Sequence, residues 1–90
     1  MRAASDRSSF LPSPSLFSSG EDPALGAVMV APTVRGIQSN GIVATAKHYL
    51  LNNQEDHRGN MSSNADLRTI MQLYHPPFQA AVDAGVGAIM

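Results

Sequence analysis

Residues 41–49 read GIVATAKHY, and this stretch decides the fold. Its first half, from Ile42 to Thr45, is a short and continuous run of small and β-branched side chains. Such runs are typical of a strand that is covered on both faces in a parallel sheet. The apolar run stops at Lys47 and His48, and a polar stretch with no clear period follows to residue 63. The sequence therefore predicts a buried strand that opens into a long polar loop.

A helix is expected before this strand. Asp22 can act as its N-cap, Pro23 would occupy the first helical position, and Gly41 is a plausible stop. Pro32 lies inside the pattern and removes one backbone donor, so it predicts a kink or a break. The predicted apolar face of this helix consists of Leu25, Val28, Met29, Val34 and Ile37.

A second helix is expected after the polar loop. Ser63 and Asp66 form an approximate capping box at its start. Pro76 and Pro77 are expected to bend or restart it, and Gly85 to end it before a second buried strand begins with VGAIM. Its predicted apolar stripe consists of Leu67, Ile70, Met71, Tyr74, Phe78, Ala81 and Val82, in which Tyr74 and Phe78 are expected to pack in the core.

The order helix, strand, long loop, helix, strand is typical of a parallel βα fold. A closed (β/α)8 barrel takes about 250 residues, whereas this chain has 90. The predicted fold class is therefore α/β, an incomplete fragment of a (β/α)8 TIM-type barrel with parallel strands. Residues 1–19 are rich in serine and proline, and they are predicted to be a disordered N-terminus before a partial barrel domain at residues 20–90.

Composition argues against several classes of function. The net charge of −1 provides no electrostatic footprint for nucleic acid or for an anionic membrane surface. No apolar run approaches the roughly 20 residues of a membrane-spanning helix. The absence of cysteine excludes disulfides, thiolate catalysis and cysteine-based zinc sites.

Lys47 and His48 are expected at the carboxyl end of the first strand, the edge where parallel βα folds carry binding and catalytic groups. Together with Arg58 in the following loop they supply many hydrogen-bond donors, which a polyhydroxylated ligand requires. Glu55 and Asp56 could hold the cations through charge-assisted hydrogen bonds. From the residues alone, two interpretations stay open: a solvated surface loop, or a ligand-binding loop. No recognised metal-ligand spacing is present.

Several pieces of the sequence, in order, resemble the amino-terminal barrel domain of glycoside hydrolase family 3, in particular that of fungal β-glucosidases. The resemblance extends from about residue 17 to residue 90. The pieces are EDP at 21–23, RGIQ at 35–38, AKH at 46–48, NNQEDHR at 52–58, SSN at 62–64, LYHPPF at 73–78 and AGVG at 84–87.

The resemblance implies that Lys47, His48 and Arg58 hydrogen-bond the hydroxyls of the glucosyl unit in the −1 subsite. It also implies a retaining mechanism, in which a carboxylate nucleophile and a carboxylic acid lie about 5 Å apart. In the family the nucleophile belongs to a Ser-Asp-Trp motif and the acid is usually a glutamate of a second domain. This sequence contains no tryptophan, so no catalytic residue is assigned, and the chain alone is expected to be inactive.

The implied substrate is a β-glucoside or cello-oligosaccharide, with no cofactor and no metal. The family resemblance suggests a secreted protein, although residues 1–19 lack the continuous apolar segment of about 7–15 residues found in a signal peptide. Two alternatives remain: a non-catalytic remnant that binds sugar weakly or binds a partner through an open sheet edge, and a chain that never folds stably. Residues 60–62, Asn-Met-Ser, fit an N-glycosylation sequon.

Overall fold

The computed structural model describes residues 21–90. The predicted disorder of residues 1–19 lies outside this range. The elements are helix α1 (Pro23–Gln38), strand β1 (Thr45–Ala46), helix α2 (Leu67–Thr69), a π-helical segment (Ile70–Tyr74), helix α3 (Pro76–Asp83) and strand β2 (Ala88–Ile89). The two strands pair in parallel, with Thr45 opposite Ala88 and Ala46 opposite Ile89. The α/β class and the parallel strands are therefore confirmed.

Helix α1 begins as the sequence predicts. The Asp22 carboxylate accepts hydrogen bonds from the backbone N–H groups of Ala24 and Leu25, at 2.9 and 3.3 Å, and Pro23 follows it as the first helical residue. Of the predicted kink or break at Pro32, the break is wrong, because the helix continues to Gln38. Pro32 lies on the exposed side of α1, so the ring stays clear of the core while the buried face continues past it.

The buried face of α1 differs from the predicted one. Gly26, Val30 and Val34 are buried, at a regular spacing of four residues. Of the predicted face, only Val34 lies in the core. The prediction was wrong because α1 packs on the core along the row of Gly26, Val30 and Val34, which leaves the larger side chains on the other sides of the helix. The exposed ones are Leu25, Val28, Met29 and Ile37.

The second helical stretch begins at Leu67, and Asp66 is its N-cap. The Asp66 carboxylate accepts a hydrogen bond from the Thr69 N–H at 2.9 Å. The predicted capping by Ser63 is therefore wrong, since the helix starts three residues too late for it. The restart at Pro76 is confirmed, and it follows a wide turn in which the His75 N–H donates to the Ile70 carbonyl at 2.8 Å.

The predicted stripe of this stretch is buried only in part. Phe78 and Ala81 are in the core, and Ile70 and Tyr74 are half-buried. The other members of the stripe are exposed, because the π-helical segment and the restart at Pro76 change the helical period along which the stripe was drawn. These exposed members are Leu67, Met71 and Val82.

The core lies between α1, α3 and one face of the sheet. It consists of Val30, Val34, Ala44, Ala46, Phe78 and Ala81. In β1 and the two residues before it, Ala44 and Ala46 are buried, whereas Val43 and Thr45 are exposed. The expected coverage of both faces is therefore not seen in residues 21–90, because both helices pack against the same face. Within this range, no helix combines the length and the apolar character needed to cross a membrane.

The side chain of Gln38 connects the end of α1 to the segments that lead into both strands. Its Oε1 accepts hydrogen bonds from the N–H groups of Ala44 (3.3 Å) and Gly87 (2.9 Å), and its Nε2 donates to the Gly85 carbonyl at 3.0 Å. The chain turns into each strand at a glycine with positive φ, Gly41 at 75° and Gly85 at 81°, which only glycine adopts without a steric cost. Both glycines were predicted as helix stops.

Candidate functional site

Lys47 and His48 follow β1 directly and are half-buried at its carboxyl end. The backbone ladder widens at this point. The Met90 N–H donates to the Ala46 carbonyl at 2.9 Å, and the Met90 carbonyl accepts from the Tyr49 N–H at 2.8 Å. In a regular parallel ladder these two partners of Met90 would lie two positions apart, and here they lie three apart. The extra residue makes this a bulge, a feature that redirects side chains next to active sites and at barrel rims.

Tyr49 fixes the chain as it leaves the bulge. Its ring packs edge-on against Phe78, with the ring centroids 4.9 Å apart and the planes at 76°, and also contacts His75 at 6.2 Å. The Tyr49 hydroxyl lies 3.4 Å from His75 Nδ1, within hydrogen-bonding distance. Edge-to-face aromatic pairs add about 0.5–1.5 kcal/mol beyond their buried area. The start of the polar loop is therefore held against the first turn of α3.

A second contact holds the loop further along. The Asn53 side-chain amide donates to the Tyr74 hydroxyl at 2.9 Å. The Tyr74 ring is half-buried, so the residue packs and also positions the loop. The LYHPPF motif thus supplies three loop contacts: Tyr74 binds Asn53, while His75 and Phe78 bind Tyr49.

Arg58 lies in an exposed turn of the loop. Its Nη1 is 3.3 Å from Glu55 Oε2, and the two side chains are 64% and 81% exposed. An ion pair at this exposure contributes about 0–1 kcal/mol, so the pair orients Arg58 weakly. The expected orienting role is seen for Glu55. Asp56 contributes its backbone carbonyl, which accepts from the Gln54 side chain at 2.9 Å.

The three predicted site residues are brought together only in part. Lys47 and His48 are adjacent at the bulge, while Arg58 follows ten residues later. Within residues 21–90, no hydrogen bond or ion pair joins Arg58 to either of them. Their convergence on one ligand remains a prediction. In the same range, no group of three or more His, Asp or Glu side chains is arranged to hold a metal ion.

The residues that position the site were not predicted from the sequence. They are Gln38, Tyr49, Asn53 and His75. One feature of the sequence could have indicated Tyr74 and His75, since both directly precede two prolines. A proline pair fixes where a helix restarts, and it therefore also fixes the direction of the polar side chains just before it.

Comparison with known proteins identifies the family. The model of the glycosyl hydrolase family 3 N terminal domain matches residues 15–90. Probable beta-glucosidase L of Emericella nidulans is 52% identical over 69 residues, which are 77% of this chain and 9% of that protein. Beta-glucosidase 1 of Aspergillus aculeatus is 50% identical over 82 residues, with 77% of this chain and 10% of that protein covered.

Beta-glucosidase cel3A of Pyricularia oryzae is 52% identical over 71 residues, with 79% of this chain and 10% of that protein covered. No solved structure matches the chain. The chain spans about a tenth of the length of these curated relatives. Because the family model covers most of the 90 residues, the chain belongs to the glycosyl hydrolase family 3 N-terminal domain family.

Proposed function

We propose that this chain is part of a β-glucosidase and supplies part of the subsite for the terminal glucosyl unit. The complete enzyme would hydrolyse terminal non-reducing β-D-glucosyl residues from cello-oligosaccharides or aryl β-glucosides by a retaining mechanism. Family membership supports this proposal, as does about 50% identity to proteins named beta-glucosidase. The finer assignment to a subsite rests on the chemistry of Lys47, His48 and Arg58.

The observation that carries the proposal is the bulge that follows β1. It gives Lys47 and His48 a position fixed by the sheet, since Met90 bonds on both sides of them. Both side chains are half-buried, so a ligand at this edge would meet donors that are only partly hydrated. Hydrogen bonds that involve a charged partner contribute about 1.5–3 kcal/mol, so the Lys47 ammonium could contribute at this scale to the binding of a hydroxyl.

Each group has a distinct role in this proposal. The Lys47 ammonium offers three donors to hydroxyl oxygens, and the His48 imidazole can donate or accept. Arg58 offers a planar fork that suits two neighbouring hydroxyls. The Glu55 carboxylate would keep the guanidinium in the loop until a ligand replaces it as a partner.

We propose that this chain by itself does not hydrolyse the bond. Retaining hydrolysis needs a nucleophilic carboxylate and an acid. The sequence has no tryptophan and therefore no Ser-Asp-Trp motif, and four of the six carboxylates of residues 21–90 make other contacts. Asp22 and Asp66 cap helices, Glu55 pairs with Arg58, and Asp83 accepts from a glutamine side chain. We therefore expect the chain to bind sugar without hydrolysing it. A measurement of sugar binding also distinguishes a preserved subsite from a remnant that has no affinity for sugar.

The sequence makes a direct test of binding possible. Lys47 is the only lysine in the chain, so labelling with 15N-lysine gives a single backbone amide signal, that of Lys47, and leaves its ammonium unmodified. We expect millimolar glucose to shift this signal in a saturable way, and Arg58→Ala to weaken the binding. Arg68→Ala is the matched control, since Arg68 is exposed in α2, outside the loop. An unchanged Lys47 signal at saturating glucose, or equal effects of the two arginine variants, would refute the subsite assignment.

A further inference from the structure

We infer that Asn60 is an N-glycosylation acceptor when the chain passes through the secretory route. Residues 60–62, Asn-Met-Ser, form a sequon with no proline in the middle position. None of the other four asparagines in the chain has serine or threonine two residues later. The inference concerns a modification of the polar loop, and it is independent of the sugar-binding role proposed above.

Exposure favours this site. Asn60, Met61 and Ser62 are all exposed. They belong to a stretch from residue 52 to 64 in which every residue is exposed, so a bulky glycan would replace only water. None of the buried residues of the core lies in this stretch. A glycan here is therefore compatible with the fold as it stands.

The backbone that follows Asn60 lies outside any helix or strand. Asn60 ends a turn, where its N–H donates to the His57 carbonyl at 3.0 Å. Residues 61–66 then have neither helix nor strand before α2 begins at Leu67. A sequon within a helix or a sheet would have to unfold before it could be modified, whereas this segment presents no ladder or helical bonds to break.

The chemistry of the neighbouring asparagines selects the same residue. Asn53 donates its side-chain amide to Tyr74, and Asn64 donates its own to the Ser62 hydroxyl at 2.8 Å. Within residues 21–90, the Asn60 carboxamide has no hydrogen-bond partner. Ser62 acts as acceptor in its contact, so the hydroxyl proton is not used by that bond. The acceptor amide and the sequon hydroxyl are both available to an enzyme.

The group transfer is an ordinary displacement. The Asn60 amide nitrogen forms a bond to the anomeric carbon of a lipid-pyrophosphate-linked oligosaccharide. The carbon–oxygen bond to the pyrophosphate breaks, the lipid pyrophosphate leaves with the electron pair, and one amide proton passes to a base of the transferase. No oxidant or reductant is needed.

The test is to translate the 90-residue chain behind a cleavable secretory signal in the presence of endoplasmic reticulum microsomes. We expect the protease-protected chain to gain one glycan, which peptide-N-glycosidase removes with conversion of residue 60 to aspartate. Asn60→Gln and Ser62→Ala should each abolish the glycan. Asn64→Gln and Ser63→Ala are matched controls from the same segment and should retain it.

A protected chain without a glycan would overturn the inference if a reporter sequon in the same microsomes is modified. Retention of the glycan by Asn60→Gln would overturn it as well. A separate measurement tests whether the glycan is compatible with the fold. The amide exchange rate of Ala44 in the core should be the same before and after the glycan is removed. Faster exchange in the glycosylated chain would show that the loop does not tolerate the glycan.

Discussion

The Gln38 side chain makes three hydrogen bonds that connect α1 to the segments leading into both strands, and its removal is our principal prediction. Gln38→Ala removes three hydrogen bonds, to Ala44, Gly85 and Gly87, at 3.3, 3.0 and 2.9 Å respectively. These partners lie 6, 47 and 49 residues away along the chain. The variant should therefore loosen the attachment of α1 to both strands.

The expected loss follows from the environment of each bond. A typical hydrogen bond contributes about 0.5–1.5 kcal/mol net, and a buried donor left without a partner costs about 1–3 kcal/mol. Two of the three bonds are exposed, so water can replace them, whereas the bond from the Ala44 N–H is partly buried. We expect the free energy of unfolding to fall by about 2 kcal/mol, with most of the loss at Ala44.

Urea unfolding and amide exchange measure this loss. A change of about 2 kcal/mol corresponds to a roughly 30-fold lower protection of the amides of Ala44 and Gly87. Gln72→Ala is the matched control, because Gln72 is exposed in the π-helical segment. If Gln38→Ala and Gln72→Ala lower the unfolding free energy and the amide protection equally, the reasoning is wrong.

Three further predictions follow from the packing and the caps. A Cβ at Gly87 would lie 2.6 Å from Val43 Cγ1. Gly87→Ala should therefore lower the free energy of unfolding in urea by about 1–3 kcal/mol. Adding Val43→Ala to this variant should restore part of the loss. Phe78 is 4% exposed, and Phe78→Ala should lower the free energy of unfolding by about 3–5 kcal/mol. This loss is enough to abolish the cooperative thermal transition, whereas Phe78→Leu should retain the transition. Hydrogen bonds from the Thr69 side chain and backbone N–H lower the pKa of the Asp66 carboxyl. The ionised Asp66 should therefore stabilise α2 fully at any pH above the ordinary carboxyl pKa. This stabilisation should be lost as the pH falls through the lowered pKa of the folded chain.

Each of these predictions has an opposing result. Additive effects of Gly87→Ala and Val43→Ala would show that the two side chains do not collide. An unchanged transition in Phe78→Ala would place the core elsewhere. Asp66→Asn keeps an acceptor but does not titrate, so its acid unfolding curve should lose this contribution; curves identical to those of the unaltered chain would contradict the capping role.

The local features of the fold were predictable from the sequence because they depend on neighbouring residues. Asp22 with Pro23 specifies the start of α1 through a carboxylate and a missing N–H, and both act within the first turn. Gly41 and Gly85 adopt positive φ, which a side chain would oppose. The polar loop after β1 was likewise evident, since its residues change from apolar to polar at Lys47.

The sequence by itself determined the element order, the parallel βα class and the position of Lys47 and His48 after a strand. The tertiary structure decided which face of α1 is buried, since Val30 and not Val28 meets the core. It also decided that Met90 bonds on both sides of the bulge and that Gln38 reaches both strands. The physical reason is the distance along the chain over which each feature is determined. Periodicity and caps depend on residues a few positions apart. The contacts of Met90 and Gln38 join segments more than 40 positions apart, and only packing brings these segments together.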